Sequence, residues 1–242
     1  MAGHSKFANI KYKKERSDSK RSKIFTKVGR ELAVAVKQGG SSPETNSRLR
    51  DAIAKAKASN MPNDNIDRAI KKAAGELGSV NYESVTYEGY GPGGVAVIVK
   101  ALTDNRNRTA ANVRNAFTKG GGNLGQTGSV DYIFKQIGEI FIEKSPNVNE
   151  DELMMQALDA GAADFIASDE GWEITTEPND FTKVVDALKD TYTIFSAEVI
   201  MQPLTMAPPL SAAEEIKGFN KMIDLLEDDD DVQDVYHNLD GE

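Results

Sequence analysis

Cationic side chains crowd one end of the chain. Lys6, Lys11, Lys13, Lys14, Arg16, Lys20, Arg21, Lys23, Lys27 and Arg30 follow one another closely, with His4 and Asn9 among them. Ammonium and guanidinium groups at this density suit the neutralisation of phosphate, where each contact releases condensed counterions and reads no base. Phe7 and Tyr12 are interleaved with these cations and serve either to stack on bases or to anchor the segment. A second polar cluster, Asp104-Asn105-Arg106-Asn107-Arg108-Thr109, stands where a helix should begin, with Asp104 as the expected N-cap. Asn105, Arg106 and Arg108 can reach phosphate there, assisted by the helix amides, or can tie segments together through Arg–carboxylate pairs.

Other chemistries find little support. The sequence has no cysteine, which excludes a disulfide scaffold, a thiolate metal site and a cysteine nucleophile. Its two histidines, His4 and His237, are far apart, so no metal is expected. The Gly89-Tyr90-Gly91-Pro92-Gly93-Gly94 segment lacks the lysine and hydroxyl residue of a phosphate-binding loop and joins two strands rather than opening a helix. The acidic run at residues 228–231 lacks the ligand spacing of a calcium loop and reads as a solvated face. No serine, threonine or lysine falls in a nucleophile motif. The expectation is a protein that is not an enzyme and needs no cofactor.

Charge is segregated along the chain. The 242 residues carry a formal net charge of -9. Residues 1–75 hold 18 Lys/Arg against 7 Asp/Glu, and residues 76–242 hold 11 against 31, so the first segment is at +11 and the second at -20. Such asymmetry marks an electrostatic footprint confined to one domain, with the acidic remainder held off the polymer. The polar start does not read as a secretory signal, and no run approaches the roughly eighteen apolar residues of a membrane span. A cytoplasmic protein with no membrane partner is expected.

These groups need elements to position them. Residues 3–17 read as a flexible arm. Residues 19–38 predict a helix whose apolar side is Ile24, Phe25, Val28, Leu32 and Val36, with Lys20, Lys23, Lys27, Arg30 and Lys37 roughly opposite. Helices over 44–59 and from about 64 complete a small bundle, broken at Asn60-Met61-Pro62. Strands are expected at 82–88, 95–102 and 129–134, with a helix over 104–119. From 139 onward the order strand, helix, strand, strand, helix, strand is that of a ferredoxin-like sandwich, with Trp172 in its core. A helix at 211–227 and a strand at 232–238 are too few to fold alone. They would complete the earlier α/β unit, so that residues 139–205 form a domain inserted into one made by 80–138 and 206–242, after a basic helical domain at 1–79.

Several stretches resemble the YebC family (YebC/PmpR, with mitochondrial relatives that activate translation). They are the opening Met1-Ala2-Gly3-His4-Ser5-Lys6-Phe7-Ala8-Asn9-Ile10-Lys11, then Lys23-Ile24-Phe25-Thr26-Lys27, Asn60-Met61-Pro62, Tyr87-Glu88 with the glycine-rich turn, residues 104–109, and Gly121-Gly122-Asn123-Leu124-Gly125. The likeness covers the full chain. It implies an α+β, three-domain architecture: an N-terminal helical bundle plus two α/β domains, one inserted in the other. Phe7 stands where the family usually carries tryptophan. The resemblance implies nucleic-acid-binding regulation of gene expression. Some members are similar to DNA-binding transcriptional regulators, working with the transcription machinery. Others look like translation factors that bind ribosomal RNA and relieve stalls at proline runs. The same basic stripe would serve either polymer, and a third class is an interaction module whose arm binds acidic proteins.

Overall fold

Apolar residues at helical spacing build the first three helices. In α1 (Arg21–Gly39), Val28, Leu32, Ala35 and Val36 share one face. Against them pack Leu49, Ala52 and Ala56 of α2 (Ser47–Ala58) and Ile66 of α3 (Asn63–Gly75), with Met61 of the intervening turn. Asn46, only 6% exposed, fixes where α2 starts. Its Oδ1 accepts from Leu49 N at 3.0 Å, while its amide donates to Ala35 O and Gly40 O at 2.8 Å each. One side chain thus caps the second helix and holds the end of the first.

The computed structural model describes residues 21–75 and 80–240. Two compact units divide the chain. Among the described residues, one takes 21–75 and 80–130 together with 210–237, and the other takes 131–209 with 238–240. In the first unit, strands β1 (Glu83–Tyr90), β2 (Ala96–Thr103), β3 (Asn123–Leu124) and β8 (Val232–His237) form an antiparallel sheet of order β3-β1-β2-β8. Val97, Val99 and Ala101 of β2 pair with His237, Val235 and Val232. The turn between β1 and β2 runs through Gly93 and Gly94 at φ 66° and 77°, a backbone region open mainly to glycine.

Helices α4 (Arg106–Lys119) and α7 (Ala213–Glu227) pack against each other. Gly120 and Gly218 let them approach: a Cβ on Gly218 would stand 2.5 Å from Gly120 O. Phe117, Phe219, Met222 and Leu226 are buried there.

The second unit has β4 (Phe134–Glu143), α5 (Glu150–Ala160), β5 (Asp164–Ala167), β6 (Gly171–Thr176), α6 (Phe181–Leu188) and β7 (Ile194–Pro203). Its sheet order β5-β6-β4-β7, antiparallel throughout, is that of the ferredoxin-like sandwich. Ile140, Ile142, Leu153, Ala157, Trp172, Ile174, Val184 and Leu188 form its core. The Trp172 indole donates to Glu150 Oε2 at 2.8 Å, and Lys144 Nζ lies 4.5 Å from its ring centroid.

One expected strand is corrected. Residues 131–133 form a 3-10 turn, and the strand that follows is continuous from Phe134 through Gly138 to Glu143. Gly138 does not end it. A Cβ there would stand 2.6 Å from the Phe181 ring, so the glycine admits α6 over an unbroken strand. The fourth strand of the first sheet is instead the short β3.

Candidate nucleic-acid interface

Helix α7 ends at Glu227, and its last carbonyls need donors. Lys27 Nζ donates to Glu227 O at 2.8 Å. Lys23 Nζ donates to Asp228 O at 3.1 Å and lies 3.3 Å from Asp228 Oδ1. Two cations from the polar face of α1 therefore sit at the negative end of the α7 dipole. Burial holds the Lys27 ammonium below its usual pKa, against the opposing pull of Asp234, Glu227 and the acidic run.

The next turn brings Asp231 inward, with only 2% of its surface exposed. Its Oδ1 accepts from Arg30 at 2.5 Å. Arg108 embraces the same carboxylate, with Nε at 3.1 Å and Nη2 at 2.7 Å from Oδ2 and Nη2 at 2.9 Å from Oδ1. Thr109 Oγ1 lies 2.7 Å from Oδ2. The Asp231 backbone carbonyl accepts from Leu102 N at 2.8 Å. Arg30 also donates to Leu102 O and Asp230 O and lies over the Tyr82 ring. Burial alone would raise the Asp231 pKa, but hydrogen bonds from Arg108, Thr109 and Arg30 outweigh it and hold the carboxyl below its ordinary range. Arg108 is correspondingly pushed up by hydrogen bonds from its guanidinium to Asp231 and Asp104.

This arrangement joins α1, β2, α4 and the end of α7 within one unit. It corrects two readings of the sequence. The acidic run is not wholly a solvated face, because Asp231 is buried and Asp229 accepts from Asn112 Nδ2 at 2.8 Å. The N-cap of α4 is Asn105, whose Oδ1 accepts from Arg108 N at 3.1 Å. Asp104, one residue earlier, instead binds Arg108 Nη2 at 2.7 Å.

The candidate phosphate ligands are thus placed as follows. Lys23, Lys27, Arg30 and Arg108 have protein partners, and for Arg108 the Arg–carboxylate tie is the arrangement seen. Arg106 is exposed and lies 3.6 Å from Glu83, while the Asn105 side chain is committed to its cap. Arg21 opens α1. His4, Lys6, Asn9, Lys11, Lys13, Lys14, Arg16 and Lys20, with Phe7 and Tyr12, lie outside the described residues.

Glu88, part of a family-like stretch, was not among the candidate site residues. It is 4% exposed on β1 and accepts from Gly128 N at 2.8 Å and Val130 N at 3.0 Å. It ties the glycine-rich loop after α4 to the sheet, and its sequence signal is only a carboxylate between a tyrosine and a glycine. Among the described residues no group of three or more His, Asp or Glu is placed to hold a metal ion, and no helix is long and apolar enough to cross a membrane.

A helical bundle bound by buried ion pairs to an α/β sheet, with a second sheet-bearing domain, defines a three-part α+β class of protein. The chain belongs to the TACO1/YebC family: the model of the family's N-terminal domain matches residues 5–76, and that of its second and third domains matches residues 82–239. A "Probable transcriptional regulatory protein" of Acetivibrio thermocellus is 62% identical, with 100% of both chains covered. One of the same description from Lachnoclostridium phytofermentans is 59% identical, covering 99% of this chain and 100% of the relative. The crystal structure of a conserved hypothetical protein from Aquifex aeolicus superposes with a TM-score of 0.79 at 44% identity, covering 93% of this chain and 92% of that one.

Proposed function

We propose that the chain is a nucleic-acid-binding regulator of gene expression, acting in the cytoplasm on duplex DNA to control transcription. The observation that carries this reading is the charge segregation, with 18 Lys/Arg against 7 Asp/Glu in residues 1–75. The description shared by its bacterial relatives supports the transcriptional form. Lys6, Lys11, Lys13, Lys14, Arg16, Lys20 and Arg21 contact the phosphate backbone, with His4 and Asn9 close to the bases. The same proposal takes a basic helical domain at 1–79 and one α/β domain inserted into another, expected from the sequence as 139–205 within 80–138 with 206–242; the boundary at 138–139 moves back to the start of β4, because β4 runs unbroken through Gly138. The two acidic α/β domains stay off the polymer and recruit or block another protein.

A second reading has a specific observation behind it. Lys23, Lys27, Arg30 and Arg108 are engaged with carbonyls and carboxylates, and contacts that remain on an arm suit backbone binding better than base reading. That pattern also serves a ribosome-associated translation factor gripping ribosomal RNA. Crosslinking in cells, sequencing of the bound nucleic acid and ribosome fractionation separate the two. Discrete promoter peaks with no ribosomal co-sedimentation are expected. Enrichment on ribosomal RNA without promoter peaks would overturn the transcriptional reading in favour of the second.

A further inference from the structure

The polar face of α1 spends its charge inside the protein. The other two helices of the bundle do so only in part. On α2, Arg50 and Lys57 are both exposed, seven residues apart and hence on one side of the helix about 10 Å from each other. Arg48, Asp51 and Lys55 of the same helix line the cleft toward β1 and β2 instead, where Lys55 pairs with Glu31 at 2.8 Å. On α3, Arg68 and Lys72 are one turn apart and exposed, with Lys71 beside them. Arg50, Lys57, Arg68, Lys71 and Lys72 form no ion pair among the described residues. Asp64 occupies the first turn of α3 and repels phosphate there, which favours an anionic ligand on the later turns.

We infer that the outward faces of α2 and α3 are a docking surface for the backbone of duplex DNA, through Arg50, Lys57, Arg68, Lys71 and Lys72. This rests on the nucleic-acid reading above and relocates part of its footprint. Three observations select the occupant. The five cations have no carboxylate partner among the described residues, so an external polyanion is their complement. Residues 44–75 contain no Phe, Tyr or Trp, so the surface offers no aromatic platform for the unstacked bases of a single strand. The cations lie on the sides of two short helices whose most N-terminal turn, on α3, is acidic, so the surface meets phosphates rather than inserting an end into a groove.

The test uses the full chain and its Gln variant at all five positions, with binding to a mixed-sequence DNA duplex measured between 50 and 200 mM salt. Each lost contact lowers the slope of log K against log salt by about 0.9, so five lower it by about 4.5, or about 500-fold less affinity lost by the variant across that range. A variant that exchanges Arg and Lys at the five positions keeps the charge and keeps the wild-type slope. Wild-type binding with an unchanged slope in the Gln variant overturns this surface and leaves the nucleic-acid reading standing. Failure of the wild-type chain to bind any duplex overturns both. An RNA duplex of the same sequence is the second arm: a slope change confined to RNA overturns the assignment to DNA. Circular dichroism of the Gln variant should match the wild type, because all five side chains are exposed.

Discussion

Replacing Asp231 by alanine removes the carboxylate on which Arg30 and Arg108 converge, and leaves the Arg30 guanidinium, whose side chain is 15% exposed, without that anion. Breaking a buried ion pair from one side costs about 3–5 kcal/mol, most of it the uncompensated charge that remains. The upper part of that range applies to Arg30, and Arg108 adds less because its side chain is 45% exposed and keeps Asp104. Urea denaturation followed by circular dichroism should therefore show Asp231→Ala less stable by about 4 kcal/mol. Pairing it with Arg30→Met in a double-mutant cycle should return a coupling energy above about 1 kcal/mol, since the two groups touch. The pH dependence carries a sign. The folded Asp231 pKa lies below its unfolded value, so the carboxylate's contribution is complete above about pH 4 and is lost as the pH falls through the folded pKa. The stability gap between wild type and Asp231→Asn should narrow only under acid conditions. A loss below about 1 kcal/mol for the alanine variant at neutral pH, or a gap constant down to acid unfolding, would refute the assignment of Asp231 as the anchor.

Two further outcomes test the packing and the second unit. Alanine normally suits a helix better than glycine by about 1 kcal/mol, and Gly29→Ala should follow that rule, because no atom lies within 4 Å of its added Cβ. Gly218→Ala should reverse it and destabilise by about 1–3 kcal/mol, because its Cβ would collide with Gly120 O; thermal melts of the two variants moving the same way would contradict the glycine crossing. Trp172 is the sole tryptophan, so its emission reports on the second unit alone. The hydrogen bond from its indole, and then that from Lys144, hold the Glu150 carboxyl below its ordinary pKa. Emission should titrate with a midpoint below the usual glutamate range and should not do so in Glu150→Gln; a midpoint at or above that range would discount the indole bond.

The helical bundle was legible because its signals are local. The period of Val28, Leu32 and Val36 is enough to turn one side of α1 inward. The ferredoxin-like order was legible for a similar reason, since each strand and helix carries its own periodicity. The Asp231 anchor was not legible. Arg30 is 201 residues from Asp231 in sequence and Arg108 is 123. No spacing rule connects groups that only the sheet brings together when β8 pairs with β2. The expected strand at 129–134 gave way to a 3-10 turn at 131–133, and the expected break before residue 139 fell at a glycine. Gly138 carries the same sequence signal as a strand end, and only the ring of Phe181 packed over it shows that the strand continues. The N-cap of α4 moved by one residue because Asp104 and Asn105 are equally good caps in isolation. The backbone N–H of Asn105 donates to Thr103 Oγ1 at 2.8 Å, and Asp104 is drawn off by Arg108.

The charge of residues 1–75 therefore overstates the field available to a polyanion. Lys23, Lys27 and Arg30 count toward the +11, yet each donates to the end of α7 or to the run that follows it. Part of the acidity of the rest of the chain is spent on neutralising them, so the two segments are less separate in charge than their sums suggest. Under the proposed reading, what remains for an external phosphate is the cations of residues 6–20 and the exposed sides of α2 and α3. The distinction is measurable because buried pairs are screened far less by salt than exposed cations are. Salt acting on binding should report the cations of residues 6–20 with Arg50, Lys57, Arg68, Lys71 and Lys72, whereas salt acting on stability should leave the Asp231 anchor nearly unchanged.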